Sequence, residues 1–73
     1  MESKQIKGIL AQNIKKYRSA KKMTQEDAAD SAGISVKYWQ RLEMTSQADL
    51  PSLPTLFKIA KTLKVKASKL LDY

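Results

Sequence analysis

Val36, Lys37, Gln40 and Arg41 fall at i, i+1, i+4 and i+5, a spacing that gathers four side chains on one face of an α-helix. Their types suit contact with the edges of bases. Lysine and arginine donate to guanine O6 and N7, glutamine pairs with adenine, and valine meets a thymine methyl. The same four residues equally make an ordinary solvated face, which a helix needs opposite its buried side. Trp39 and Leu42, at i and i+3 with Ile34 just ahead, supply that buried side, so all four candidates are expected to point outward. Lys37 and Arg41, one turn apart, form a small basic spot.

Other chemistry is poorly provided for. The chain has no cysteine and no histidine, so disulfides are excluded and a structural zinc is not expected. It has no Gly-rich phosphate loop and no acidic cluster at metal-ligand spacing. Asp27 and Asp30 stand at i, i+3, but lone helical carboxylates are usually surface groups. Neither catalysis nor a metal, cofactor or small-molecule ligand is expected.

The elements that must hold Lys37 and Arg41 are two short helices meeting at a glycine. Thr24 opens the first, with Asp27 three residues on as a weaker relative of the capping box. Glu26 and Asp27 also lie where the helix dipole favours negative charge. Ala28, Ala29 and Ala32 form a small apolar face that admits a close neighbour. Gly33 takes the left-handed position that ends the helix, and Ser35 caps the next, expected from there to about Met44. Residues 24–43 thus match the spacing of a helix-turn-helix, whose second helix projects side chains into the major groove.

The rest reads as scaffold. Ile6, Leu10, Ile14 and Tyr17 trace an amphipathic stripe that predicts a helix over about 5–20, with Lys7, Lys15, Lys16 and Lys22 mostly off it. Met23 is expected to plug the core. Ser52 caps a fourth helix with Pro54 in its first turn, carrying Leu56, Ile59, Ala60 and Leu63. A short final helix is expected over Ala67–Asp72. With 73 residues there is room for one small core, so the expectation is a compact all-α chain of five helices, a single domain over residues 1–73.

Charge points to a polyanionic partner. Lys and Arg total 14 against 7 acids, a net charge of +7 with a pI near 9.8. The distribution is uneven: residues 1–23 carry +6, residues 24–50 carry −3 and residues 51–73 carry +4. The candidate reading unit is therefore locally acidic between basic segments. Lysines 15, 16, 21 and 22 either steer the chain onto nucleic acid or form a solvated face. No apolar run reaches the ~18 residues of a membrane span, nor that of a secretory signal, so a soluble cytoplasmic protein is expected.

Together these residues resemble the Cro and phage-repressor (lambda-repressor-like, XRE-type) family of helix-turn-helix regulators. The pattern is carried by Asn13-Ile14-Lys15-Lys16-Tyr17-Arg18, Thr24-Gln25-Glu26, Ala29, Gly33-Ile34-Ser35, Tyr38, Leu42-Glu43, Pro51-Ser52, Leu56, Ile59-Ala60, Leu63 and Val65. It spans roughly residues 9–71. Three departures stand out. Thr45 stands where a glycine usually lies two residues after the glutamate, the loop from Glu43 to Pro51 is about two residues longer, and Trp39 fills an aliphatic position. The alanine face of the preceding helix is expected to make room for its indole.

The resemblance implies a five-helix domain binding double-stranded DNA as a homodimer on a two-fold symmetric operator, probing bases with Val36, Lys37, Gln40 and Arg41. It implies phosphate contacts from Thr24, Gln25, Tyr38 and the loop residues Thr45, Ser46 and Gln47. For Gln25 the amide and nearby backbone N–H groups would hold the phosphate. The Tyr38 hydroxyl would bond a phosphate, or its ring would simply cover the corner between helices 3 and 4. Arg18 and Glu43 hold the places of an ion pair joining helix 1 to the end of helix 3. Leu70, Leu71 and Tyr73 would form the dimer contact, or pack under helix 1. The expected role is transcriptional repression or autoregulation. A protein-interaction module of the same fold, such as an antitoxin or co-regulator, is the alternative.

Overall fold

The computed structural model describes residues 2–44 and 50–72, which form five α-helices: α1 Ser3–Ala20, α2 Gln25–Ala32, α3 Val36–Leu42, α4 Leu53–Leu63 and α5 Ala67–Leu70. Side-chain hydroxyls set three of the helix starts. Thr24 Oγ1 accepts from the Asp27 N–H at 3.0 Å while the Thr24 N–H donates back to Asp27 Oδ2 at 3.3 Å, a complete capping box on α2. Ser35 Oγ accepts from the Tyr38 N–H at 3.1 Å, and Ser52 Oγ from the Thr55 N–H at 3.4 Å. Pro54 lies in the first turn of α4, where its missing N–H removes no intrahelical bond.

Three helix ends share one device. Beyond α2, Gly33 adopts φ 72° and the Ile34 N–H reaches back to the Ala29 carbonyl at 3.0 Å. The same reach-back joins Val65 to Ala60 and Met23 to Arg18, but there the left-handed residues are Lys64 and Lys22, both at φ 57°. A Cβ makes that conformation costly, so both ends carry backbone strain that Gly33 avoids.

The core draws on every helix. Leu10, Ala11 and Ile14 of α1 are buried, with Ala28, Ala29 and Ala32 of α2, Trp39 and Leu42 of α3, four residues of α4 and Leu70 of α5. Trp39 is the largest fully buried side chain and shares one cluster with the three alanines. Met23, Ile34, Tyr17 and Val65 pack half-buried against it.

Three boundaries differ from the periodicity reading, for local reasons. α1 starts at Ser3, where the Glu2 N–H donates to Gln5 Oε1 at 3.0 Å. α3 stops at Leu42, where the Glu43 N–H is shared between the Trp39 and Gln40 carbonyls and the Met44 N–H turns to the Arg41 carbonyl three residues back, tightening the last turn. α5 stops at Leu70 in the same way. The stripe of α1 is also shifted: Lys7, Leu10, Ala11 and Ile14 form the buried face, Ile6 is only half-buried, and Lys7 is 1 % exposed.

Candidate nucleic-acid interface

α3 is seven residues long, too short to persist alone in water. Its inner face is Trp39 and Leu42, and this leaves Lys37, Gln40 and Arg41 exposed on the outer one. Val36 departs from the outward placement expected of it. It is half-buried and packs against the core, because at the first position of α3 it sits beside the corner closed by Gly33 and Ile34. Tyr38 is also half-buried, packed against the core.

Glu43, immediately after α3, ties that helix to α1 and α2. Its side chain is 4 % exposed and its two oxygens accept four hydrogen bonds. Arg18 from α1 docks side-on, Nε to Oε2 at 2.6 Å and Nη2 to Oε1 at 3.1 Å. The buried Trp39 indole N–H reaches Oε2 at 2.6 Å, and the Gln25 amide reaches Oε1 at 3.1 Å. Arg18 Nη1 also donates to the Met23 carbonyl at 2.7 Å, holding the α1–α2 connection. Burial alone pushes the Glu43 carboxyl up. The hydrogen bonds from Arg18, Trp39 and Gln25, with the Arg18 charge, outweigh it and hold the pKa below its ordinary value.

Gln25 is accordingly placed differently from the simple expectation. Its amide is half-buried and donates inward to Glu43, so the side chain braces the junction. What it offers outward is backbone: Gln25 and Glu26 open α2, where N–H groups have no intrahelical acceptor. Thr24 is exposed, with its oxygen engaged in the capping box. Thr45, Ser46, Gln47 and Tyr73 lie outside the described residues.

Two further residues position the unit, and neither was singled out for this in the sequence. Lys7 extends its Nζ to the Leu42 carbonyl at 2.8 Å and the Arg41 carbonyl at 3.3 Å, both at the end of α3. A cation there satisfies carbonyls the helix leaves open and complements its dipole. The signal was present: Lys7, Leu10 and Ile14 stand at i, i+3 and i+7, the spacing of a buried stripe. Asn13 does for the chain end what Lys7 does for α3, its amide donating to the carbonyls of Leu70 at 2.9 Å and Asp72 at 2.6 Å.

The C-terminal expectation divides. Leu70 is 0 % exposed and belongs to the core, so it has no surface left for a second chain; the packing alternative describes it. Leu71 remains 43 % exposed.

An exposed Lys-Gln-Arg face on the second helix of a glycine-cornered pair, braced from behind by a buried carboxylate, defines a DNA-binding helix-turn-helix domain. The sequence model of the Helix-turn-helix family matches residues 14–70, and the chain belongs to that family. It is a Cro- and phage-repressor-like DNA-binding transcriptional regulator. Control protein C.SmaI of Serratia marcescens is 35 % identical over 66 residues, covering 90 % of this chain and 76 % of that protein. The HTH-type transcriptional regulator SinR of Bacillus subtilis (strain 168) is 33 % identical over 64 residues, 88 % of this chain but only 57 % of its own length. Among solved structures, a hypothetical transcription factor, NHTF, from Neisseria superposes with a TM-score of 0.84 at 27 % identity, over 96 % of this chain and 76 % of the other. Among the described residues no helix is long and apolar enough to cross a membrane.

Proposed function

We propose that this chain is a cytoplasmic repressor or autoregulator that reads a two-fold symmetric operator as a homodimer, with one α3 in each of two successive major grooves. Residues 1–73 act in this reading as one DNA-binding domain. The observation that carries it is the exposed trio Lys37, Gln40 and Arg41 on a helix whose opposite side is anchored through Trp39 and Glu43. Lys37 and Arg41 reach guanine O6 and N7, Gln40 reads adenine, and Val36 keeps a methyl contact at the edge of the face. The backbone N–H groups at the start of α2, with Thr24 and Gln25, hold a phosphate beside the groove, and the Tyr38 hydroxyl and the loop residues Thr45, Ser46 and Gln47 hold others. The acidity of the reading unit is no obstacle, since Asp27 is bound into the α2 capping box and the basic flanks supply the long-range attraction.

Selection from a randomised duplex library at low and near-physiological salt tests this directly. Enrichment of a two-fold symmetric motif at the higher salt is the expected result, with affinity falling steeply as salt rises. Lys37→Ala and Arg41→Ala should each weaken the selected site by about 1–3 kcal/mol and relax preference at one base pair. The folding stability of Lys37→Ala should stay within about 0.5 kcal/mol of the parent, since Lys37 is exposed. Uniform recovery of unselected sequences, lost at higher salt, would refute base reading by α3.

A further inference from the structure

The lysines of α4 take no part in the DNA reading. Lys58, Lys61 and Lys64 line one side of a cleft of about 530 Å³ between α4 and the end of α2. All three are exposed, and none is ion-paired among the described residues. Asp30 lines the same cleft, so its charged groups are three lysines against one aspartate. Lys61, in the last turn of α4, complements the helix dipole. Lys58 lies a turn earlier and Lys64 beyond the end, so the dipole accounts for one lysine of the three. The α2 side of the cleft includes Ala32 and Gly33, whose small size lets another chain approach the backbone. We propose that this cleft holds an acidic segment of a protein partner.

Hydrogen-bonding chemistry selects a polypeptide over other anions. The lysine ammoniums are donors only. Beside them lie two helix ends, where carbonyls are left over for capping groups or ligands. The carbonyls of Ser31 and Ala32 in α2, and of Thr62 in α4, accept no hydrogen bond among the described residues. The residues around the cleft therefore offer charged donors and open acceptors together. A phosphodiester has acceptors and no donor, so it would satisfy the lysines but meet the negative ends of two helices. A segment rich in glutamate or aspartate answers both, its carboxylates accepting from the lysines and its backbone N–H groups donating to the open carbonyls.

The cleft also lies where a partner and DNA can bind at once. α2 is eight residues long, about 12 Å, and the phosphate contact proposed for it is at the opposite end. This separation rests on the DNA reading; the cleft and its chemistry do not. Exposed ion pairs are individually weak and screened by salt, so the contact should be modest and salt-sensitive.

NMR titration of the intact, isotope-labelled chain with a short peptide of alternating glutamate and serine tests the cleft. Amides of residues 30–33 and 58–64 should shift, and a glutamine–serine peptide should leave them in place. Lys58→Gln/Lys61→Gln should weaken the peptide roughly tenfold, whereas Lys15→Gln/Lys16→Gln on α1 should not change it. Lys64→Gly removes an ammonium at a backbone position that favours glycine. It should weaken the peptide roughly threefold while melting no earlier than the parent, which separates loss of the site from loss of the fold. Inorganic phosphate and a duplex lacking the selected motif are titrated in parallel. Either one shifting the cleft amides as strongly as the peptide, with the same dependence on Lys58 and Lys61, overturns the polypeptide assignment. Cleft amides that do not move, or a peptide that binds the Lys58→Gln/Lys61→Gln variant as it binds the parent, overturn the site itself. With operator bound, the peptide should still shift the same amides, and its displacement by operator overturns simultaneous binding. A chain that binds the peptide in the cleft but selects no DNA motif would instead overturn the DNA reading and leave the cleft standing.

Discussion

Replacing Glu43 by alanine removes more organisation than any exposed substitution in this chain. The carboxylate accepts from Arg18 twice, from Gln25 and from Trp39, with only 4 % of its side chain exposed and 14 % of that of Arg18. Breaking one side of a fully buried pair costs roughly 3–5 kcal/mol, because the other charge is left behind without compensation. Partial exposure lets Arg18 recover some hydration, which places its share near the lower end. Trp39 cannot recover in that way. Its indole is fully buried, and an orphaned buried N–H costs about 1–3 kcal/mol more. A loss of about 4 kcal/mol follows, a large part of the 5–15 kcal/mol available to a small domain. At about 4–8 °C per kcal/mol for a chain of this size, the melting temperature should fall by roughly 15–30 °C.

The assay is thermal and urea melting of the parent, Glu43→Ala, Glu43→Gln and Lys37→Ala. Glutamine keeps the shape and an acceptor but not the charge, so it should fall between the parent and alanine. The pH dependence gives a second reading. The folded pKa of Glu43 lies below its ordinary value, so the carboxylate's contribution is complete above the unfolded glutamate pKa, about 4.3. It is lost as pH falls through the depressed folded value. The stability gap between the parent and Glu43→Gln should therefore hold at neutral pH and narrow below about pH 4. A melting temperature within about 4 °C of the parent for Glu43→Ala, or a gap that widens on acidification, would refute the claim that this carboxylate locks the reading helix.

Other substitutions follow from the same geometry. Lys7→Met keeps much of the side-chain length but leaves the Leu42 and Arg41 carbonyls without their donor; a loss of about 1–3 kcal/mol in urea melting is expected, against less than about 0.5 for the exposed Lys15→Met. Lys64→Gly relieves a left-handed Cβ at φ 57° where Gly33 already shows the preferred solution, and should raise stability by up to about 1 kcal/mol without altering DNA affinity. Asn13→Ala frees the carbonyls of Leu70 and Asp72 and should speed amide exchange in α5 ahead of the rest of the chain.

The readable parts of this fold were those written in short-range chemistry. Thr24, Gly33, Ser35, Ser52 and Pro54 announce their roles through residue type alone, and each stands where that type predicts. Trp39 and Leu42 followed from periodicity. What escaped was long-range or atypical. Lys64 and Lys22 take left-handed positions that favour glycine, so nothing in their type marked the turn. Lys7 lies mostly off the stripe that Ile6, Leu10, Ile14 and Tyr17 trace, yet it is buried, and its own spacing to Leu10 and Ile14 matches the buried face. Its partners, the Arg41 and Leu42 carbonyls, lie more than thirty residues away and carry no side-chain signature. The division between Leu70 and Leu71 is of the same kind, since two adjacent leucines differ only in which way a four-residue helix turns them.

These long-range contacts explain how a seven-residue helix can hold its shape at all. Left to its own propensity, α3 would be largely unfolded, because nucleation outweighs the few hydrogen bonds so short a helix can add. Its order is imported. Ser35 closes the N-terminal end, Lys7 reaches from α1 to close the C-terminal carbonyls, and Glu43 binds that same end to Arg18 and Gln25. Trp39 fills the space between, with its indole N–H joined to the same carboxylate. None of these anchors uses the Lys37 or Gln40 side chain, so the residues proposed to choose a sequence are separated from those that hold the helix. Substitutions at 37 and 40 should therefore change which bases are preferred at little cost in stability, whereas changes at 7, 18, 39 or 43 should weaken every site together by loosening the helix that presents them.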